Sequence, residues 1–176
     1  MSYTIRDLIN NNKDENIAIT SENNNVIKYS DLKKHIINIS GQLASQGITP
    51  SNRAAIVLPN GPEMATAFLS ISSYMSAAPL NPSYKLKEYE FYLQDLMPKI
   101  VIVEKDSQNP AVEAAKNLGI EICEIKKIDN APAGIFNLYD ETSNFELATE
   151  NNEALVLHTS GTTSRPKVVP LTNKNI

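Results

Sequence analysis

The sequence predicts an α/β fold: a mainly parallel sheet with helices on both faces. Apolar, strand-like runs alternate with helix-like segments along the chain, which is the order that parallel strand–helix–strand units produce. The run Ile100–Val103 is apolar at every position, as expected for a strand covered on both faces. The length of 176 residues is enough for one ordinary hydrophobic core.

A β-hairpin and an amphipathic helix are predicted at the start of the chain. The segments 17–20 and 26–29 flank an asparagine-rich turn, which predicts a hairpin. The helix is predicted to begin at Ser30 or Asp31, either of which can cap it, and to end at Gly47. Its apolar residues recur at spacings of four, three and four, so they form one helix face: Leu32, Ile36, Ile39 and Leu43.

A strand and a second helix are predicted next. The segment 53–58 is a short apolar strand, and a turn at 60–62 leads into the helix. The apolar residues of this helix again recur at four, three and four: Met64, Phe68, Ile71 and Met75. A brief extended piece is predicted at 79–81, between two prolines.

The second half of the chain continues the alternation of helix and strand. Its elements are expected at 85–96 (helix), 100–103 (strand), 109–118 (helix, ended by Gly119) and 120–125 (strand). The patterning fades between 126 and 152, which is predicted to be mostly irregular. This connection leads to a last apolar strand at Ala154–Leu157.

The segment that follows this last strand combines hydroxyl groups, a glycine and a lysine. Main-chain N–H groups, hydroxyls and a cation in one small volume form an anion-binding concavity. The loop also leaves the carboxyl end of a strand, where open α/β sheets bind their ligands. The sequence therefore predicts a polyphosphate site at 159–167, formed by Thr159, Ser160, Gly161, Thr162, Thr163, Ser164 and Lys167. A solvated Ser/Thr-rich turn is the alternative for this composition.

A Walker P-loop is excluded by two positions in this segment. That motif needs a glycine directly before its lysine and a serine or threonine directly after it. Pro166 and Val168 occupy those positions here. Because proline has a fixed φ and no N–H, the loop is expected to be stiff just before Lys167.

Four blocks of the chain resemble, in the same order, signature regions of the adenylate-forming superfamily, which includes acyl-CoA synthetases, luciferases and peptide-synthetase adenylation domains. The blocks are 27–32 (I-K-Y-S-D-L), 52–63 (N-R-A-A-I-V-L-P-N-G-P-E), 77–82 (A-A-P-L-N-P) and 159–167 (T-S-G-T-T-S-R-P-K). By this resemblance residues 1–176 are an incomplete N-terminal AMP-binding domain, part of the large domain of such an enzyme, with its phosphate-binding loop at 159–167. The rest of the large domain and a C-terminal domain are expected to be absent from the chain.

The resemblance implies a reaction in two halves. A carboxylate attacks the α-phosphorus of ATP and releases pyrophosphate, and a thiol, usually that of coenzyme A, then displaces AMP. It thus implies ATP, Mg²⁺ and coenzyme A for the full-length enzyme, with a small carboxylate as substrate. Hydroxyls and amides of the loop would bind the β- and γ-phosphates, Gly161 would allow close backbone approach, and Lys167 would balance charge. Catalytic residues are expected beyond Ile176, so the fragment alone is expected to be inactive.

The chain departs from the family pattern at several positions. Ser164 and Val168 stand where the family usually has glycine, and Asn173 stands where it has histidine. His158 replaces a more common aromatic residue, and together with Val-Pro-Leu after the lysine it is similar to the oxalate-CoA ligase branch. His158 is expected either to bind a ligand or to pack at the strand end. Two other functions stay open: a non-catalytic nucleotide-binding module, and an adenylation domain that loads a carrier protein.

Composition and charge exclude several classes of protein. With a net charge of −4 and scattered basic residues, nucleic-acid binding is not expected. No apolar run approaches the roughly 18 residues of a membrane-spanning helix, and no signal peptide is recognisable, so we expect a cytoplasmic protein. Two histidines and one cysteine make a metal site within the chain unexpected. His35 is predicted to lie at the surface or at the core boundary.

Overall fold

The computed structural model describes residues 4–21, 25–132, 134–159 and 166–176. Its strands are β1 (Ile17–Thr20), β2 (Val26–Lys28), β3 (Arg53–Val57), β4 (Ser76–Pro79), β5 (Ile100–Val103), β6 (Glu121–Glu124), β7 (Lys126–Lys127), β8 (Phe136–Asn137), β9 (Glu153–Thr159) and β10 (Lys167–Thr172). Its helices are α1 (Ile5–Asn10), α2 (Tyr29–Ser45), α3 (Pro62–Ser72), α4 (Leu86–Leu96) and α5 (Pro110–Leu118), followed by a 3-10 turn at Asn173–Asn175.

A six-stranded sheet of order β10-β9-β4-β3-β5-β6 forms the centre of the fold. Its strands pair in parallel except at β10, which runs antiparallel to β9. Two small antiparallel pairs, β1 with β2 and β7 with β8, lie outside it. The predicted mainly parallel sheet and the predicted N-terminal hairpin are both confirmed.

Helices cover both faces of this sheet, as predicted, because successive residues of a strand point to opposite faces. In β3, Ala54 and Ile56 pack in a cluster with buried residues of α2 and α3. Ala55 and Val57 pack on the other side with α4 and α5. Complete burial of a side chain such as that of Ile56 contributes about 1.5–3 kcal/mol to folding. The two clusters are the main hydrophobic core.

Helix α2 ends where the sequence predicts, but it begins earlier. Its first residue is Tyr29, and its N-cap Lys28 makes no side-chain capping bond, so the prediction of Ser30 or Asp31 as the cap is wrong. The physical reason is that the first helical amides are satisfied by the preceding chain: the N–H groups of Tyr29 and Ser30 donate to main-chain carbonyls of residues 16 and 14. At the other end, Gly47 follows the helix with a φ of +70°.

Two elements of the first half differ from the prediction. The six-residue helix α1 was not predicted, although Thr4 and Asp7 form a capping box at its start. Strand β4 begins at Ser76, whereas an extended piece was predicted only from 79, because small residues such as Ala77 and Ala78 carry a weak strand pattern. Met75, predicted on the second helix, lies after its end at Ser72 and is buried.

The connection from 126 to 152, predicted to be mostly irregular, folds over the outer side of α2. The side chain of Gln42, 3% exposed, holds it there. Its Oε1 accepts hydrogen bonds from the main-chain N–H groups of Leu138 and Tyr139, at 2.7 and 3.1 Å. Its Nε2 donates to Oδ1 of Asn137 at 2.8 Å. One amide side chain therefore fixes three consecutive residues of this connection.

The same connection buries His35, so the prediction of a surface or boundary histidine is wrong. Its side chain is 4% exposed, and its ring meets that of Phe136 edge to face at a centroid distance of 4.7 Å. Among the described residues Nε2 has no hydrogen-bond partner. Burial lowers the pKa of His35 from 6.5 to about 4. The covering segment lies about a hundred residues further along the chain, so the pattern of α2 alone could not reveal it.

Replacing His35 with leucine is expected to make the protein less sensitive to acid. Because the folded pKa of about 4 lies below the unfolded value of 6.5, the unfolded state binds more protons in this window. The wild type therefore loses stability as the pH falls from about 6.5 to 4, by roughly 3 kcal/mol from this residue. Urea unfolding of both proteins across this window measures the difference, since all other groups are shared. Parallel curves would contradict the assignment.

Candidate phosphate-binding site

The predicted phosphate loop connects the two strands of an antiparallel hairpin, β9 and β10. Strand β9 continues two residues beyond its predicted end, to Thr159, and β10 was not predicted as a strand at all. Pro170 lies within β10, and a proline argues against a central strand. It is accommodated here because β10 lies at the edge of the sheet.

The loop of the hairpin follows the carboxyl end of β9, on the side of the sheet where the carboxyl ends of all the parallel strands lie. This side is called the carboxyl edge below. The carboxyl ends of these strands are Thr159, Pro79, Val57, Val103 and Glu124, and parallel pairing places them along one edge. Ligands of open α/β sheets bind at this edge. Strand β9, which precedes the predicted site, ends here at Thr159, and the site itself stays a prediction.

Two of the predicted site residues, Thr159 and Lys167, are register partners at the end of the hairpin. Both side chains are exposed. None of the ion pairs among the described residues involves Lys167. The other predicted site residues, Ser160, Gly161, Thr162, Thr163 and Ser164, lie outside the described residues. The fold thus places Thr159 and Lys167, the first and last residues of the predicted loop, opposite each other.

His158, the residue before Thr159, packs against helix α4. Its Nε2 lies 3.2 Å from Oδ2 of Asp95, and its ring meets that of Tyr92 edge to face at a centroid distance of 4.6 Å. The side chain of His158 is 8% exposed. Of the two roles expected for this residue, packing at the strand end is the one seen here.

The base of the hairpin is held by Asn173, a buried residue that sequence reasoning noticed only as a departure from the family pattern. Its Oδ1 accepts a hydrogen bond from the main-chain N–H of Ile5, at 3.1 Å. Its Nδ2 donates to the carbonyl of Thr149 at 3.2 Å, and its main-chain N–H donates to that of Asn152 at 3.0 Å. Asn173 therefore ties the end of β10 to α1 and to the turn before β9.

An ion pair anchors the other end of β9 to the middle of the sheet. The guanidinium group of Arg53, at the start of β3, donates two hydrogen bonds to the carboxylate of Glu153, at 2.7 and 2.9 Å. A third nitrogen donates to the carbonyl of Leu96, at the end of α4, at 3.1 Å. These bonds span strand β4, which lies between β3 and β9.

An open cavity of about 950 Å³ lies at the same edge of the sheet, beyond strands β3, β5 and β6. Its walls come from Val57, Pro59, Pro82 and the segments 104–109 and 124–127. Two of its three lysines are already paired within the protein: Lys126 with Asp140 at 2.8 Å and Lys127 with Glu63 at 3.4 Å. The acidic groups Glu104, Asp106 and Glu124 also line it, so its charge is mixed.

In the four described ranges, no three His, Cys, Asp or Glu side chains are grouped so that they could hold a metal ion. Among the residues described, no helix is both long enough and apolar enough to cross a lipid bilayer.

The fold places the chain in the class of open, mainly parallel α/β sheets, which bind their ligands beyond the carboxyl ends of the strands. Residues 7–176 match the family of AMP-binding enzymes, and the chain belongs to that family.

Two curated relatives represent two kinds of enzyme in this family. The chain is 39% identical over 140 residues to an oxalate–CoA ligase of Arabidopsis thaliana, with 76% of the chain and 27% of that protein covered. It is 29% identical over 164 residues to a dimodular nonribosomal peptide synthase of Bacillus subtilis strain 168, with 91% of the chain and 7% of that protein covered. The chain therefore spans about a quarter of the first relative and a small part of the second.

A solved structure shows the same fold. The crystal structure of apo MatB from Rhodopseudomonas palustris superimposes with a TM-score of 0.79 at 21% sequence identity, covering 98% of this chain and 35% of that one. The mixed α/β architecture with a mostly parallel sheet is thus a fold that this chain shares with part of that protein.

Proposed function

We propose that this chain supplies the triphosphate-binding part of an AMP-forming acid–thiol ligase. In this reaction a carboxylate oxygen forms a bond to the α-phosphorus of ATP, the bond to the bridging oxygen breaks, and pyrophosphate leaves. A thiol then attacks the acyl carbon of the acyl-adenylate, and AMP leaves. Membership of the AMP-binding enzyme family supports the first half of the proposal, and the similarity to an oxalate–CoA ligase supports the second.

The proposal depends mainly on the arrangement of residues at the end of the β9–β10 hairpin. Thr159 and Lys167 are register partners at the carboxyl edge of the sheet, and both are exposed. Chemistry at phosphorus depends mainly on positioning and on neutralising the charge of the phosphates. In the proposal, hydroxyl and amide groups of residues 159–164 bind the β- and γ-phosphates. Gly161 allows close approach, and the ammonium group of Lys167 balances the charge of the departing pyrophosphate.

Oxalate is the acid that we propose to test first, with coenzyme A as the thiol. The support is the 39% identity to the oxalate–CoA ligase of Arabidopsis. The alternative acceptor is a thiol on a carrier protein, which the similarity to the Bacillus subtilis peptide synthase supports. The identity of the acceptor thiol concerns only the second half-reaction. The role proposed for the hairpin, in the first half-reaction, is therefore the same for both alternatives.

Mg²⁺, implied by the family resemblance, would neutralise part of the triphosphate charge when bound. Among the described residues no three His, Cys, Asp or Glu side chains are grouped, so we name no protein ligand for the ion. No step of the proposal is assigned to the ion. We also propose that the catalytic residues lie outside these 176 residues, and that the isolated chain does not turn over. The chain spans 27% of the Arabidopsis relative, which supports this.

The proposal is tested by carboxylate-dependent exchange of labelled pyrophosphate into ATP, catalysed by the complete natural polypeptide. We expect exchange with one acid of a panel that includes oxalate, malonate, acetate and several amino acids. The isolated 176 residues serve as the control and are expected to give none. Binding of ATP without exchange for any acid would favour a non-catalytic nucleotide-binding module instead.

The acceptor thiol is identified in a second assay. The acyl-adenylate formed with the active acid is offered coenzyme A or a phosphopantetheinylated carrier domain, and AMP release is measured. Release with coenzyme A alone supports the ligase, whereas release with the carrier domain alone supports the carrier-loading alternative.

A further inference from the structure

His158 occupies the last inward-facing position of β9 before the candidate site. Side chains alternate along a strand, so His158 faces α4 while Thr159, one residue further, faces the other way. In the hairpin register His158 pairs with Val168, which packs in the cluster that α4 and α5 form. The next pair outward is Thr159 with Lys167. A packed pair of residues thus lies directly behind the pair assigned to phosphate binding.

A directional bond holds this packed pair in place. A carboxylate oxygen accepts hydrogen bonds, so Nε2 of His158 is the donor in its 3.2 Å bond to Asp95. Asp95 lies on α4, 63 residues earlier in the sequence, and α4 is anchored in the core through Leu93 and Leu96. The edge-on ring of Tyr92, also on α4, restricts the imidazole from a second side. The end of β9 is therefore fixed to α4 in position and in rotation.

We infer that His158 and Asp95 are positioning residues for the nucleotide: their bond orients Thr159 and the hairpin end for the triphosphate. This inference rests on the proposed function, because it assigns the pair no contact with ATP. A small displacement of a substrate-binding group weakens the contact that it makes with the substrate, which is why a bond behind the site matters for the KM of ATP. A phenylalanine at 158 would keep an aromatic ring next to Tyr92 but would have no hydrogen-bond donor.

The test uses two variants of the complete polypeptide that separate the hydrogen bond from the ring. The variant His158→Phe keeps an aromatic ring and loses the donor. The variant His158→Gln loses the ring and keeps an N–H donor at a similar reach. We expect His158→Phe to raise the KM for ATP about three- to tenfold with kcat changed less than twofold, since only part of the energy of a bond to a charged group is transmitted to the nucleotide. We expect His158→Gln to stay within about twofold of the wild type in KM.

Two further variants complete the test. One changes the partner of His158, and the other controls for a general loss of stability. Asp95→Asn weakens the same bond from α4 and is expected to raise the KM for ATP in the same direction as His158→Phe. Gln42→Leu removes the three hydrogen bonds that Gln42 makes with residues 137–139, on the other face of the sheet, while the bond from Asn38 to Asn137 remains. It is expected to lower Tm by about 2–4 °C while leaving the KM for ATP unchanged.

The outcomes separate this inference from the proposed function. Exchange activity in the wild type with equal KM values for ATP in all four variants would overturn the positioning role and leave the proposed function standing. Equal increases in His158→Phe and Gln42→Leu would also overturn it, because the effect would then follow stability. If the wild type shows no exchange with any acid, the proposed function fails, and His158 is then a packing residue only.

Discussion

Replacing Lys167 with alanine is expected to lower the rate of acyl-adenylate formation by about a hundredfold or more. Removing one preorganised group that stabilises developing negative charge typically has an effect of this size. Lys167 is the first residue of β10, opposite Thr159, and its exposed ammonium group takes part in none of the ion pairs among the described residues. It is therefore available to a ligand, and its loss removes no such pair.

Stability should change little in the same variant, because substitution of an exposed residue usually alters the free energy of unfolding by less than about 0.5 kcal/mol. The measurement is pyrophosphate exchange, together with a thermal melt. Lys174→Ala is the matched control: it removes the same charge from an exposed lysine in the 3-10 turn after β10. A large fall in Tm for Lys167→Ala, with exchange unchanged, would contradict the role assigned to this lysine.

Replacing Arg53 with methionine is expected to reduce the free energy of unfolding by roughly 2–4 kcal/mol. The carboxylate of Glu153, only 23% exposed, would lose both of its guanidinium hydrogen bonds. The carbonyl of Leu96 would lose a donor as well. A partly buried charge without a partner is destabilising in itself, so the effect exceeds that of an ordinary surface ion pair.

A double variant separates the cost of an unpaired charge from the value of the pair. Arg53→Met combined with Glu153→Met removes both charges and should recover a large part of the lost stability. Urea unfolding of the wild type, both single variants and the double variant measures the coupling. If the double variant is no more stable than Arg53→Met, the unpaired carboxylate is not the source of the loss.

Much of the fold could be predicted because its signals are local. The apolar face of α2 appears in the sequence as a regular spacing, and all four of its predicted residues are buried. Helix α5 has both of its boundaries marked: Asn109 caps it through its side chain, and Gly119 ends it with a φ of +66°. The continuous apolar run of β5 predicted a strand covered on both faces, and all four residues are buried.

Several of the errors share one cause, which is that the deciding partner lies elsewhere in the sequence. His35 is buried by Phe136, about a hundred residues later, and no pattern within α2 reveals that cover. The start of α2 depends on carbonyl groups of residues 14 and 16. Strand β4 consists of small residues and is recognisable mainly through its pairing with β3 and β9.

For the candidate site, the sequence predicts the residue types of the loop and its position after a strand, but not the residues that hold this part of the chain in place. Hydroxyls, a glycine and a lysine after a strand predict an anion loop at the carboxyl edge, and the hairpin ends Thr159 and Lys167 lie there. That β10 pairs with β9 was not predictable from a segment containing Pro170. The partner of His158, Asp95, lies 63 residues away and carries no motif of its own. The groups that hold β9 and β10 in place are therefore recognisable only in the three-dimensional structure.

The central claim is that the segment between β9 and β10 binds the triphosphate of ATP. The most direct measurement is hydrogen–deuterium exchange of the complete polypeptide, followed in peptides that cover residues 155–172, with and without saturating MgATP. The account predicts that MgATP slows exchange at 159–167, that AMP alone does so much less, and that Lys167→Ala weakens the effect. Unchanged exchange at 159–167 in a protein shown by equilibrium dialysis to be saturated with ATP would contradict it.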